Sequence, residues 1–167
     1  MAEGLPPPEP PSTIVDLLER PLTAHLCTLD REGAPSVQPI NYRWDGARLY
    51  VSTKTTRQKY RNIVRDPRVA LSIQDPDDPL RYVEIRGRVS SIEPDPTEEH
   101  AIAIRTRYGG DASASDPPEP DIVIVGITPV RFGTFRARWE WPRSPLVRGC
   151  SHQRSVRNRE APPPNAG

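Results

Sequence analysis

The chain has 167 residues, with 23 basic and 22 acidic side chains and a formal net charge of +1. This length suits one domain with a single core, and the near-neutral charge argues against a general polyanion binder. No apolar run approaches the roughly 20 residues that a membrane helix needs, so we expect a soluble protein with no membrane partner.

Both ends of the chain differ in composition from its middle. Residues 1–11 are rich in proline, and residues 142–167 are rich in arginine and proline without a sustained apolar period. Segments of this kind cannot build a packed core. We therefore expect disordered tails at 1–11 and 142–167 around one folded domain at 12–141.

The two cysteines bear on the cellular compartment. Cys27 lies in the predicted domain, whereas Cys150 lies in the arginine-rich tail, and no signal peptide precedes the domain. Disulfides persist in oxidising compartments and are rare in the cytosol. The sequence therefore favours a reduced, cytoplasmic chain over one with a Cys27–Cys150 bridge.

The first half of the domain predicts a short helix followed by three strands. Thr13 and Asp16 fit a capping box ahead of an apolar helical stripe. Asp45–Gly46 is a strong hairpin signal between the second and third strands. The three strands are predicted at residues 22–30, 36–44 and 47–53.

The second of these strands departs from simple alternation. Ser36, Gln38 and Tyr42 share one face, while Asn41 and Arg43 share the other, so both faces carry polar groups. We expect a central position in a closed sheet for this strand. Mixed polarity at such a position is typical of a functional site nearby.

The second half of the domain predicts two more helices and four more strands. Pro67 ends a short helix at 56–66, and Asp95–Pro96 starts another at 97–109. The strands are predicted at residues 68–74, 81–93, 121–128 and 130–141. Strands joined mostly by hairpins, with short helices inserted, indicate a mainly β fold and a small antiparallel barrel rather than a parallel sheet.

The segment STKTTRQKYRN at residues 52–62 holds the only two lysines of the chain, Lys54 and Lys59. A strand end followed by a helix start offers hydroxyls, free backbone N–H groups and the positive end of the helix dipole to an anion. Lys59 with Arg57 adds an ammonium and a planar guanidinium, a pair that suits phosphate or carboxylates. On charge alone, a solvated basic helix face is equally consistent.

Four motifs follow one another along the core. They are G-x-P-x-V-x-P at Gly33 to Pro39, the WDG hairpin, R-x-K-x-R-N at Arg57 to Asn62, and RDPRVALS followed by DPDDP-x-RYVEIRGRV. Together they resemble the pyridoxamine-5′-phosphate-oxidase-like split-barrel flavoproteins, and within these the flavin/deazaflavin oxidoreductases that use coenzyme F420. The similarity spans residues 13–135.

This resemblance implies an architecture and a site. The implied fold is a split β-barrel of six to eight strands, like that of FMN-binding proteins, forming a two-fold homodimer with two cofactor sites at the dimer interface. The implied cofactor-binding residues are Gln38, Pro39, Ile40 and Asn41 beside the ring system, and Ser52, Thr53, Lys54, Arg57 and Lys59 around the phosphate and charged tail.

The implied activity is hydride transfer from reduced coenzyme F420 to an unsaturated or quinone-like small molecule. FMN stays open as the alternative cofactor: it ends in one phosphate, whereas the deazaflavin continues into lactate and glutamates. The extra cations Lys54 and Arg61 favour the longer tail. A carrier without turnover is also left open. We identify no catalytic residue, because the cofactor itself carries the chemistry.

Other kinds of site find little support in the sequence. His25, His100 and His152 do not make metal-ligand spacing with either cysteine. There is no nucleophile elbow and no glycine-rich dinucleotide fingerprint. The arginine-rich tail can contact nucleic-acid phosphates, but the near-neutral charge and the lack of a recognition motif argue against nucleic acid as a partner.

Overall fold

The computed structural model describes residues 7–113 and 120–136. Most of both predicted tails and the end of the last predicted strand, residues 137–141, lie outside these ranges. The disordered tails therefore stay a prediction. Among the helices that are described, none is both long and apolar enough to cross a membrane.

The described chain is mainly β, with short helical segments between strands. A 3-10 turn at Ser12–Ile14 leads into helix α1 (Val15–Glu19), and two further helices follow, α2 (Gln58–Arg65) and α3 (Glu99–Arg107). The strands are β1 (Ala24–Leu29), β2 (Pro35–Ile40), β3 (Arg43–Trp44), β4 (Leu49–Lys54), β5 (Arg68–Gln74), β6 (Arg81–Pro94) and β7 (Ile122–Arg136).

The strands form one antiparallel seven-stranded sheet in the order β2-β1-β5-β6-β7-β4-β3. Strands β2 and β3 are its opposite edges, yet only Asn41 and Tyr42 separate them along the chain. Since the three peptide units from Ile40 to Arg43 reach only about 10 Å, the sheet has to curl until its two edges lie close together. This curled sheet with an open seam fits the predicted split barrel.

Tyr42 closes one end of the barrel beside that seam. It has no solvent exposure, and its hydroxyl donates a hydrogen bond to the carbonyl of Leu17 in α1 at 2.7 Å. Leu17 and Leu18 are themselves fully buried against the core. The β2–β3 link is thereby fixed to the N-terminal helix, which covers the barrel end.

The capping-box prediction at Thr13 and Asp16 was wrong. No side-chain hydrogen bond caps either N-terminal turn, and the Asp16 carboxylate accepts hydrogen bonds from Arg81 at 2.9 and 2.5 Å. Arg81 also donates to Asp75 at 2.6 Å. A charge-assisted pair with a guanidinium 65 residues away outweighs a single local N–H contact, and it fastens α1 to the start of β6.

The predicted strand at 36–44 is split, and its first part is an edge strand rather than a central one. It ends at Ile40 and resumes at Arg43 on the opposite edge of the sheet. Tyr42 lies in the link after β2 and is fully buried, so the predicted alternation of Ser36, Gln38 and Tyr42 does not extend to it. The mixed polarity noted in the sequence therefore reflects the crossing of the seam.

The two final predicted strands are one continuous strand, β7, which passes through Pro129. Pro129 lies opposite Gly87, next to a register shift between Arg86 and Gly87. A proline is tolerated at such a bulge because its missing N–H is not needed there. Gly87 is required by the close approach, since an added Cβ would lie 2.8 Å from the Ile127 side chain.

Candidate functional site

The seam leaves part of strand β4 open. Strand β3 pairs with β4 only at Leu49 and Tyr50, so among the described strands none pairs with that side of residues 51–54. Two adjoining cavities of about 610 and 490 Å³ lie here, and they share Ser52, Lys54, Lys59 and Ile122. Both volumes are in the range of ligand pockets.

The two cavities have different walls. The smaller one, here called the α2 cavity, is lined by the shared residues and by Gln38, Thr53, Arg57 and Gln58. The larger one, here called the α3 cavity, is lined by the shared residues and by Thr23, Pro39, Ile40, Asn41, Glu98, Ala101, Ile104 and Arg105.

All nine residues that the family resemblance implied for cofactor binding line one or both cavities. Strand β2 and its end bring Gln38 to the α2 cavity and residues 39–41 to the α3 cavity. Strand β4 and the start of α2 bring the other five. The fold thus gathers them into one place, while their role in binding a cofactor stays a prediction.

Helix α2 starts directly after β4 and presents an uncapped N-terminus to the α2 cavity. The Arg57 N–H donates to the Lys54 carbonyl at 3.0 Å, which closes the turn between strand and helix. No side chain caps the first turn, and Gln58 and Lys59 line the cavity. The free N–H groups and the helix dipole therefore favour a negative group there.

Lys59 is half-buried and lines both cavities. Burial, followed by the nearby charge of Arg57, holds the pKa of Lys59 below its ordinary value of 10.5. Within the described residues its ammonium forms no ion pair with a carboxylate. An anion between Lys59 and Arg57 would offset both unfavourable effects.

Thr53 adds a second unsatisfied group to the α2 cavity. The residue is 8% exposed, and its hydroxyl oxygen has no hydrogen-bond partner among the described residues. A buried hydroxyl without a partner costs free energy, and native proteins rarely leave one so. The donor set of the α2 cavity, with its hydroxyls, cations and helix N–H groups, fits a phosphate.

Asn62 holds α2 against the barrel, a role that sequence reasoning missed. The residue is fully buried, and its side-chain amide donates to the Thr28 hydroxyl at 3.0 Å. Its amide oxygen accepts from Gln58 at 2.9 Å and from Arg65 at 3.3 Å. The one signal in the sequence was an asparagine beside the apolar Ile63 on a short helix.

The α3 wall was also missed, because only tertiary packing brings α3 to β4 and β7. Asp95 orients the helix start, as its carboxylate accepts from the backbone N–H groups of His100 and Ala101 at 3.4 and 2.9 Å. The predicted helix start at Asp95–Pro96 was wrong, because Glu98 is the N-cap and α3 begins at Glu99, but the Asp95 carboxylate still accepts from N–H groups of the first turn. Glu98, just before it, is fully buried and lies 3.8 Å from Arg105.

Comparisons with known proteins agree on this region. A protein-family model described as pyridoxamine 5′-phosphate oxidase matches residues 11–135. A solved structure described as an F420 reductase is 43% identical, with a TM-score of 0.69, and the match covers 74% of this chain and 98% of that chain. The motifs quoted above lie inside the matched range.

More distant solved structures share the fold alone. A conserved hypothetical protein from Mycobacterium tuberculosis is 24% identical with a TM-score of 0.61, covering 83% of this chain and 91% of that chain. A putative pyridoxamine 5′-phosphate oxidase from Listeria innocua is 21% identical with a TM-score of 0.60, covering 75% of this chain and 97% of that chain.

Proposed function

Since the chain belongs to the pyridoxamine 5′-phosphate oxidase family, we propose that it is a flavin- or deazaflavin-dependent oxidoreductase, and that its cofactor is coenzyme F420. One observation carries the proposal: the half-buried ammonium of Lys59 lies beside Arg57 at an uncapped helix start, in a cavity large enough for a ligand. This arrangement suits the phosphate that both F420 and FMN carry.

Two features support coenzyme F420 over FMN. The F420 reductase with 43% identity matches nearly the whole folded core. The cations also continue beyond one phosphate site, from Lys54 and Lys59 in the cavity walls to the exposed Arg61 on α2. A longer anionic tail uses these cations, whereas a single phosphate does not need them.

In this proposal, the residues of the chain bind the cofactor, orient its ring and shield the ring from water. Lys59, Arg57 and Thr53 hold the phosphate end in the α2 cavity, and the apolar Pro39 and Ile40 border a ring in the α3 cavity. The reduced deazaflavin, when bound, supplies hydride to an unsaturated or quinone-like small molecule. Excluding water and fixing the ring are the tasks left to the protein.

We further propose that the chain forms a two-fold homodimer through the outer face of its sheet. Val37 and Val130 are 60% and 65% exposed. In the sheet, Val37 of β2 pairs with Cys27 of β1, and Cys27 in turn pairs with Ala70 of β5. Cys27 and Ala70 line an outer groove together with Val130. Exposed apolar side chains gathered on one face are typical of an interaction surface. A cytoplasmic location stays a prediction.

The test is a side-by-side equilibrium titration of the purified protein with coenzyme F420 and with FMN, followed by cofactor fluorescence. We expect low-micromolar binding of F420 and much weaker binding of FMN. Tighter binding of FMN than of F420 would favour the FMN alternative. If the protein binds neither cofactor, the proposal is overturned. A carrier without turnover is recognised by tight F420 binding with no oxidation of the reduced cofactor by any quinone or enone acceptor.

A further inference from the structure

The hydroxyl of Tyr108, at the end of helix α3, joins three segments of the chain. It donates to the Leu22 carbonyl at 2.8 Å and accepts from the backbone N–H of Tyr42 at 3.2 Å. The Tyr42 carbonyl, 3.3 Å away, is a second acceptor. These partners precede Tyr108 by 86 and 66 residues, so only the folded chain brings the three segments together.

The position of Tyr42 explains why this hydroxyl is needed. Tyr42 lies between β2 and β3, so its backbone is outside the hydrogen-bond ladders of the described strands. The residue has no solvent exposure, so water does not reach its N–H. An unpaired buried N–H costs about as much free energy as a lost hydrogen bond. The phenol therefore satisfies a backbone group that the curled sheet leaves without a strand partner.

The same three segments line the α3 cavity. Thr23 and Asn41, the chain neighbours of the two hydrogen-bond partners, are wall residues. Arg105 is another, and it precedes Tyr108 by three residues, so both lie on one side of the helix end. Tyr108 itself is not among the described lining residues. Its effect on the cavity is therefore transmitted through the residues that it holds in place.

The separation of α3 from the end of β2 sets the width of the α3 cavity, because both elements line it. Helix α3 has only nine residues, too few to be stable in isolation, so its position depends on tertiary contacts. Arg107 fastens the helix end to the Glu19 carbonyl, outside the described cavity wall. The Tyr108 hydroxyl, in contrast, joins the helix end directly to the segments that form the wall.

We propose that Tyr108 is a positioning residue, whose hydroxyl sets the separation of α3 from the end of β2 and thereby fits the α3 cavity to the ring of the cofactor. The inference rests on the proposed function and deepens it. Residues that line a site hold a ligand well only when the residues behind them fix their positions. Without the hydroxyl, the ring is held less tightly, while Lys59 still holds the phosphate end.

The test compares the wild type with Tyr108→Phe, which removes one oxygen atom and keeps the packing of the half-buried ring. Each protein is titrated with F420 and with FMN, and the fluorescence anisotropy of the better-bound cofactor is measured with enough protein to bind all of it. We expect affinity to fall at least fivefold and this anisotropy to decrease, because the bound ring moves more freely. A loss of stability alone leaves the anisotropy of the fully bound cofactor unchanged.

Tyr42→Phe is the matched control. It removes the hydroxyl that donates to Leu17 at 2.7 Å and leaves the Tyr42 backbone contacts with Tyr108 in place. Both variants lose a hydrogen bond, so we expect both to unfold at lower denaturant concentration, but only Tyr108→Phe to alter the bound cofactor. Wild-type affinity and anisotropy in Tyr108→Phe, or equal losses in Tyr42→Phe, overturn the inference. A wild type that binds neither F420 nor FMN overturns the proposed function, and this inference with it.

Discussion

At the scale of single residues, the surroundings of Lys59 are unfavourable in the free protein and would favour a bound anion. Its ammonium is half-buried and repelled by Arg57, so the pKa of Lys59 lies below 10.5. The unsatisfied hydroxyl of Thr53 lies in the same cavity wall. In the proposed site both groups would gain a partner from a bound anion, and the relief of these two local costs would add to its affinity.

We expect Lys59→Ala to weaken binding of the phosphate-bearing cofactor at least tenfold, or about 1.4 kcal/mol, because one desolvated cation is lost. Fluorescence titration at neutral pH measures this. In the wild type, affinity falls as the pH rises through the lowered pKa of Lys59, since only the protonated amine attracts the anion.

Lys59→Arg is the matched variant, because arginine keeps its charge at alkaline pH. Its cofactor affinity is expected to stay flat where that of the wild type declines. Equal affinity of wild type and Lys59→Ala would argue that the phosphate binds elsewhere. An identical alkaline decline in Lys59→Arg would assign the titration to another group.

At the scale of elements, helix α2 works as a positioned unit rather than as a helix of high intrinsic stability. It has only eight residues, which is too short to be stable in isolation. Asn62 and Ile63 are its buried residues, and the Asn62 side chain joins the helix to Thr28 of β1. The placement of Arg57 and Lys59 therefore depends on a hydrogen-bond network on the far side of the helix.

We expect Asn62→Ala to lower the free energy of unfolding by about 1–3 kcal/mol, because it leaves the buried Thr28 hydroxyl and the Gln58 amide short of partners. Chemical denaturation measures this loss. Affinity for the phosphate-bearing cofactor should fall as well, since the helix start is no longer held in place.

Val64→Ala is the control for the same helix, because Val64 is 58% exposed and outside the network. It should change stability by less than about 0.5 kcal/mol. The positioning role of Asn62 is contradicted by an Asn62→Ala protein that is destabilised but binds the cofactor as tightly as the wild type.

At the scale of the whole molecule, the curled sheet produces two surfaces with different tasks. Its seam opens into the two cavities, and its outer face carries the exposed Val37 and Val130. The interior of the barrel is filled by side chains such as Ile73 and Ile85, which have no exposure. The packed barrel is therefore a rigid support for both the candidate site and the candidate interface.

The proposed homodimer is tested by Val130→Glu. In a two-fold interface each patch packs on its own copy, so a buried glutamate near the axis repels its partner. We expect a dimer in the wild type and a monomer in the variant by sedimentation velocity. Leu80→Glu, at an exposed position in the β5–β6 turn, should remain dimeric. A dimer that survives Val130→Glu places the interface elsewhere.

Much of the secondary structure was predictable, because it follows from local alternation and turn chemistry. Asp45 illustrates this: its carboxylate accepts from the backbone N–H groups of Ala47 and Arg48, and Gly46 takes φ 99°, so the predicted hairpin is confirmed. The alternation of β6 is local in the same way, with Val83 and Ile85 buried between more exposed neighbours. Neither feature depends on distant residues.

The errors arose where distant residues compete with local signals. The Asp16 carboxylate pairs with Arg81 and does not cap a helix. Pro129 lies within β7 because it faces Gly87 next to a register shift. No local pattern encodes either partner, since both lie more than 40 residues away. The interruption of the second strand has the same origin, because it depends on where the two sheet edges meet.

In the candidate site, too, one part was predictable from the local sequence and another part depended on tertiary packing. Sequence by itself determined the residue types of the proposed phosphate end, because Ser52 to Lys59 are contiguous and their strand-to-helix geometry is local. Only the tertiary structure decided the opposite wall: Glu98 and Arg105 reach the cavity because α3 packs on β4 and β7. A contiguous turn carries its own geometry, whereas a wall built from separate elements exists only once the sheet has curled.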